Sequence, residues 1–200
     1  MTILHLSDTH NLHRQLTDLP DADIIVHSGD FTMIGTEQET IDFLNWFCDL
    51  PYRHKIFIAG NHDECLYGAT LSGLDENCHY LCHSSVCIES VNFYGMPMFV
   101  GDAINGKDKR FIQAIPLDTN VLITHQPPLG ILDYDGDYHY GSEDLWQKVK
   151  SVKPKLHLFG HVHANYGTVA HEGIIFSNAS MMNARHLLRK ERKNAFMLTI

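Results

Sequence analysis

Five times this chain runs a short apolar, strand-like segment straight into aspartate, histidine or asparagine, and that repetition constrains its fold more than any other feature. Ile3-Leu4-His5-Leu6-Ser7 leads into Asp8-Thr9-His10, and Ile24-Ile25-Val26-His27-Ser28 into Gly29-Asp30. Lys55-Ile56-Phe57-Ile58-Ala59 leads into Gly60-Asn61-His62-Asp63, Val121-Leu122-Ile123-Thr124 into His125, and Leu156-His157-Leu158-Phe159 into Gly160-His161-Val162-His163. One such tetrapeptide would read as an ordinary turn. Five predict strands whose carboxyl ends converge, which is where open α/β sheets place their sites.

The segments between these strands set the rest of the architecture. Thr36 with Glu39 three positions on is a capping-box pattern. It predicts a helix over 37–50 with Ile41, Leu44, Trp46 and Phe47 as its apolar side, stopped by Pro51. The resulting β-α-β spacing favours parallel pairing with a right-handed crossover. Residues 11–20 and 64–78 read as loops with at most a short helix. His79–Cys82, Val86–Ile88 and Val91–Tyr94 suggest antiparallel hairpins, and 101–113 a polar loop over the site carrying Lys107, Lys109 and Arg110. Residues 126–141, rich in Pro, Gly and Asp, read as a long loop, and loops of that length are usually functional or disordered. A second helix starts at Ser142 and ends near Lys153-Pro154, and the antiparallel strands 167–170, 173–177 and 195–200 close the chain. No linker or repeat interrupts residues 1–200, so one domain is expected, with sheet packed on sheet and helices outside.

The net charge of −9 argues against nucleic acid as a partner but not against a small phosphorylated substrate, because bound cations reverse the local sign. No apolar run reaches the roughly 20 residues of a membrane helix. Strand-like residues begin at Ile3, leaving no room for a signal peptide, so a cytoplasmic location is expected. The five cysteines are odd in number and contain no C-x-x-C, which suits reduced thiols better than a disulfide framework or a zinc knuckle at Cys78, Cys82 and Cys87. Among fifteen histidines, His5, His27 and His157 lie inside strand runs and read as core residues, while His54, His171 and His186 read as surface.

The strand-end residues Asp8, His10, Asp30, Asn61, His125, His161 and His163 offer carboxylates, imidazoles and an amide oxygen but no thiolate. Such a mixed N/O set suits Mn²⁺, Fe or Zn²⁺ rather than Ca²⁺ or a closed structural zinc. Seven ligands exceed the needs of one catalytic ion and suit two divalent metal ions sharing a carboxylate bridge, with Mn²⁺ favoured. Asp30, alone on its strand end, is the natural bridge. Asp8 and His10, like His161 and His163, are spaced i, i+2, which in extended chain places both side chains on one side. Gly29, Gly60 and Gly160 permit unusual backbone angles and close approach to the metals. A metal pair clamps a phosphoryl group and activates water. The leaving alkoxide then needs a proton, which His62 could supply with Asp63 orienting its imidazole.

Asp8-x-His10, Gly29-Asp30, Gly60-Asn61-His62-Asp63, His125 and Gly160-His161-x-His163 resemble, complete and in order over residues 8–163, the five motifs of the calcineurin-like metallophosphoesterase superfamily. Thr124-His125-Gln126-Pro127-Pro128-Leu129-Gly130 and Phe159-Gly160-His161-Val162-His163 further resemble its small branch of metallophosphoesterase-domain-containing proteins. The resemblance implies a four-layer α/β/β/α sandwich, two mixed β-sheets flanked by helices. It implies one metal on Asp8, His10, Asp30 and His163, a second on Asp30, Asn61, His125 and His161, and His62 as general acid. The phosphoprotein phosphatases of the superfamily carry arginine near the second and third motifs. Here Phe31-Thr32 and Glu64-Cys65 stand there instead. A monoester dianion gains more from a bidentate arginine than a diester monoanion. The expectation is therefore a phosphodiesterase for small diesters, cyclic nucleotides among them, with a phosphomonoesterase or nucleotide pyrophosphatase as the alternative. A nuclease and a non-catalytic scaffold rank lower. Arg14, Lys107 or Arg110 could still supply a cationic clamp, and Asn178 could line the site.

Overall fold

Alternation along the central strands dictates the layering. The computed structural model describes residues 1–189 and 197–200. In β1 (Thr2–Leu6) and β2 (Ile24–His27), Ile3, Ile24 and Val26 face one apolar cluster while Leu4, Leu6 and Ile25 face another. In β7 (Val121–Thr124) and β8 (Leu156–Phe159), Val121, Ile123, Leu156 and Leu158 join the first of these clusters, and Leu122 and Phe159 face a third. A period-2 strand that is apolar on both faces must be covered on both. The shared cluster is the seam between two sheets, and helices cover the outer faces.

The first sheet has the order β11-β1-β2-β3-β4, with β3 at His54–Phe57, β4 at Cys78–Tyr80 and β11 at Met197–Thr199. The second runs β5-β6-β7-β8-β10-β9, with β5 at Ser84–Ile88, β6 at Val91–Met96, β9 at Gly167–His171 and β10 at Ile174–Asn178. Both sheets are mixed. β1, β2 and β3 run parallel while β11 is antiparallel to β1, and β6, β7, β8 and β10 run parallel with β5 and β9 antiparallel at the edges. The expected four-layer α/β/β/α sandwich is the observed architecture. Among the described residues no helix is long and apolar enough to cross a membrane.

Helix α1 (Glu37–Asp49) begins with the capping box: the Glu39 N–H donates to Thr36 Oγ1 at 3.2 Å and the Thr36 N–H to Glu39 Oε2 at 3.0 Å. Its buried face is Thr40, Phe43 and Phe47 rather than the expected Ile41, Leu44, Trp46 and Phe47. Ile41 is 43% exposed, and Leu44 and Trp46 are half-buried. Helix α4 (Glu143–Val152) starts where Ser142 caps the Leu145 N–H, as expected, and ends with Lys153 left-handed at φ 51°.

Two expectations about connections need correction. β4 pairs parallel with β3 at the edge of the first sheet, not in a hairpin, because the chain re-enters after a crossover through residues 58–77. Residues 101–113 are not a loop over the site but fold mostly into α2 (Val100–Ile104) and α3 (Asp108–Ala114), whose Ile112 packs on the second sheet's outer face. The last strand spans Met197–Thr199, and the expected start at Ala195 lies outside the described residues.

Candidate metal centre

Parallel pairing puts the carboxyl ends of β1, β2 and β3 along one rim, and those of β7 and β8 along the rim of the facing sheet. Each end then turns sharply. Asp8, His10, Asp30 and His161 all adopt positive φ, at 51°, 40°, 57° and 69°. Left-handed backbone costs a non-glycine residue roughly 1–2 kcal/mol, and such strain gathers where function fixes the side chain's direction. Gly60 and Gly160 serve close approach: a Cβ on Gly60 would collide with the Asp30 carboxylate, and one on Gly160 with the carboxylate of Asp8.

Backbone carbonyls aim the imidazoles. His10 Nδ1 sits 3.0 Å from the Thr32 carbonyl and His125 Nδ1 2.8 Å from that of Ser28. A carbonyl only accepts, so each Nδ1 is the protonated nitrogen and each Nε2 lone pair is free to bind a cation. Nε2 of His10 lies 3.8 Å from Asp30 Oδ2 and 3.4 Å from Nε2 of His163, which approaches Asp8 Oδ1 to 3.3 Å. His125 Nε2 lies 3.2 Å from Asp30 Oδ2. Two ligand groups result, Asp8 with His10 and His163, and Asp30 with His125 and His161, the donor atoms of each lying within 4.8 Å of one another. His10, Asp30 and His62 form a third such group that joins them.

The donor set fits a cation on two further counts. Asn61 Oδ1 is buried with no hydrogen-bond partner, and buried polar atoms are rarely left unpaired. The carboxylates also demand positive charge. Burial pushes the His125 imidazole down, but the Asp30 charge, with that of Asp8, holds it up at about 10. Burial pushes Asp8 and Asp30 up, yet their histidine neighbours hold both below the usual carboxylate range. His161, half-buried, is pushed down to about 4 by burial and then by the charge of His125. A divalent cation on each group answers the same demand.

The seven ligand candidates and His62 therefore come together. Asp63 has a different place from the one expected. Its Oδ2 accepts the N–H of Asp30 and of Gly60, each at 2.8 Å, and its Oδ1 the N–H of Thr32 at 2.9 Å, with the Thr32 hydroxyl at 2.7 Å. Both oxygens are occupied tying the loop after β2 to the loop after β3, so the ring of His62 is held instead by the Met33 carbonyl, 2.7 Å from Nδ1. Burial, then the Asp30 charge, raises Asp63 to about 7 against those donors.

The candidate clamps lie elsewhere. Arg14 pairs with Asp42 at 2.8 Å, and Lys107 sits by Asp102 at 3.8 Å beside a separate small cavity. Asn178 is buried beneath the site, its Nδ2 donating to the Val162 carbonyl at 2.9 Å and so bracing the loop that carries His161 and His163. The site opens into a cavity of about 470 Å³ whose further walls include Asp135, Tyr140 and His186. Sequence reasoning missed Tyr140; His186 is exposed, as expected, and its place in the cavity wall was not foreseen. The hydrogen-bonded turn that presents His186, Asn183–Leu187, has no sequence pattern of its own beyond its leading Asn.

A model of the calcineurin-like phosphoesterase family matches residues 1–165. A UPF0046 protein of Caenorhabditis elegans is 33% identical over 92% of this chain and 70% of its own length. Metallophosphoesterase domain-containing protein 1 of Homo sapiens is 32% identical over 90% of this chain and 66% of its own. A solved crystal structure, 14% identical, superposes with a TM-score of 0.61 over 88% of this chain and 89% of that one, a likeness of fold.

Proposed function

We propose that this chain, which belongs to the calcineurin-like phosphoesterase family, hydrolyses small phosphodiesters, cyclic nucleotides among them, with a pair of divalent metal ions. The family is one of metal-dependent hydrolases of phosphoric esters; what it leaves open is the ester and the residue roles. The carrying observation is the make-up of the cavity. Ligand-type side chains converge on two carboxylates, yet among the described residues no lysine or arginine lines the space. A phosphomonoester brings about two negative charges and gains from a bidentate arginine. A diester brings one, and it tolerates the Asp135 carboxylate that stands in the wall.

Asp8, His10, Asp30 and His163 would hold the first metal, and Asp30, Asn61, His125 and His161 the second, a division the two ligand groups support. Mn²⁺ suits this N/O set best, with Fe or Zn²⁺ as alternatives. When bound, the pair supplies an acidified water and positive charge at the phosphoryl oxygens. The chain supplies the rest. Carbonyls of Thr32 and Ser28 fix the ligand tautomers. The Met33 carbonyl holds Nδ1–H of His62, which leaves Nε2 to hand a proton to the departing alkoxide oxygen. The His62 backbone N–H donates to Asp30 Oδ1 at 2.8 Å, so the acid is tied to the bridging carboxylate.

The test compares bis-p-nitrophenyl phosphate with p-nitrophenyl phosphate on chelator-stripped protein with Mn²⁺ restored. Faster, Mn²⁺-dependent diester cleavage is expected. Preference for the monoester would replace this reading with a phosphomonoesterase or nucleotide pyrophosphatase. Silence on both, with two metals bound, would favour a scaffold.

A further inference from the structure

The cavity is larger than a phosphoryl group requires, and its volume of about 470 Å³ falls in the range of small-molecule sites. Its outer walls must therefore meet the organic part of the ester. Two flat rings stand there. The Tyr140 ring lies 5.9 Å from that of His161 at 79°, and the His186 ring 5.4 Å from that of His163 at 75°. One ring thus borders each proposed metal position, and the small residues Ala164 and Ala184 line the same cavity. Both rings are exposed.

Neither ring sits on a loose loop. The Tyr140 N–H donates to the Asp133 carbonyl at 2.9 Å, and the Tyr140 carbonyl accepts from Gln126 Nε2 at 3.0 Å, next to ligand His125. Asp133 is itself buried, accepting the N–H of Gly130 at 2.9 Å and of Gly141 at 3.2 Å. The neighbouring Asp135 carboxylate pushes the Tyr140 phenol up. On the other side, the His186 N–H donates to the Asn183 carbonyl at 2.8 Å, and Asn183 Oδ1 accepts from Arg185 and Leu187. Arg189 then pins this turn to the site: its guanidinium donates to the carbonyls of Ser180 and His163 and lies 4.4 Å from the Tyr166 ring centre. Two rings carried on backbone held this firmly, and left exposed at a cavity mouth, form a stacking surface whose loop-ordering cost is already met.

We propose that Tyr140 and His186 are specificity-determining residues that receive a planar aromatic group of the diester, of aryl or nucleobase size. The inference rests on the phosphodiesterase reading and assigns the part of the substrate that does not react. Stacking on an aromatic side chain is worth enough that its removal weakens binding roughly tenfold.

The test holds the leaving group constant. Thymidine 5′-p-nitrophenyl phosphate and methyl p-nitrophenyl phosphate release the same phenolate, so their ratio of kcat/KM reads only the retained group. With the Mn²⁺-loaded protein the thymidine ester is expected to be preferred roughly tenfold. Tyr140→Leu and His186→Leu should each shrink that preference through KM of the thymidine ester, and Tyr140→Phe should keep most of it. An undiminished preference in both leucine variants would overturn the assignment, as would an equal fall of kcat on both esters. If wild type cleaves neither ester, the phosphodiesterase reading fails, and equilibrium binding decides the rings separately. Thymidine 5′-monophosphate should then bind more tightly than inorganic phosphate, with the excess lost in the same variants; equal binding of the two would overturn the inference.

Discussion

Asp30 links both halves of the site: His10 and His125 approach its Oδ2, and the His62 N–H bonds its Oδ1. Asp30→Asn should therefore cost both metal and turnover, beyond the roughly 10–100-fold typical of a lost outer partner. Metal analysis beside diester kinetics checks this, and full activity in Asp30→Asn would sink the two-metal reading. His62→Ala should keep its metal and lose roughly 10²–10⁴-fold on poor leaving groups, with a smaller loss on p-nitrophenyl esters, which need little protonation. Asp63→Asn separates two roles. A residue that only orients the His62 ring would change kcat alone. Because Asp63 accepts three backbone N–H groups, the expected outcome is a lower melting temperature, worth about 1–3 kcal/mol. The ligand candidates were legible because chemistry-bearing residues stood at five strand ends, those of β1, β2, β3, β7 and β8. The carbonyls of Ser28, Thr32 and Met33 that aim the rings were not, since any residue carries a carbonyl and only the folded loops bring these within reach.

At the scale of elements, end signals were read well and faces less well. The Thr36–Glu39 box and the Ser142 cap placed both long helices within a residue or two. The apolar side of α1 was misjudged because Phe43 was passed over in favour of its neighbours. The positions that meet the first sheet are 40, 43 and 47, and Phe43 stacks on Phe31 at 4.0 Å and 10° and on Phe47 at 5.1 Å and 20°. Phe43→Ala should cost about 3–5 kcal/mol, whereas Ile41→Ala, at an exposed position, should stay within about 0.5 kcal/mol. Urea midpoints of the two variants check the assignment, and similar costs would show that the face was drawn wrongly. Residues 101–113 hid their helices because α2 and α3 together span only a few turns. Of their residues only Asp102 and Ile112 are buried, too few to make a periodic stripe.

Over the whole molecule, the two sheets and their helices make three apolar layers, and each layer takes in a fully buried imidazole from one of the central strands. His5 lies at the seam between the sheets, bonded to Ser28 Oγ and Ser177 Oγ, each at 2.9 Å. His27 lies under α1, its ring 5.1 Å from Phe43, with Thr9 Oγ1 at 3.0 Å. His157 lies on the outer face of the second sheet, 5.1 Å from the Phe159 ring, with Thr124 Oγ1 at 2.9 Å. Burial pushes all three down to about 3, so the fold keeps them neutral where an unfolded chain does not. The sign follows from proton counting. Between pH 6.5 and about 3 the unfolded state binds the proton that the fold refuses, so stability is complete above 6.5 and falls as the pH drops below it. Going from pH 7.5 to 5.5, each such imidazole costs about 1.4 kcal/mol. The metal ligands titrate too, and some with the opposite sign: His125, held at about 10, gains stability over the same change. A variant cancels that background. His157→Gln removes one buried titration and leaves an amide to meet Thr124. Whatever its stability at pH 7.5, it should lose about 1.4 kcal/mol less than wild type on going to pH 5.5, read as the difference in urea unfolding free energy. An identical pH dependence in the two proteins would mean that His157 already carries its proton in the fold, and that the outer layer of the second sheet is open to water.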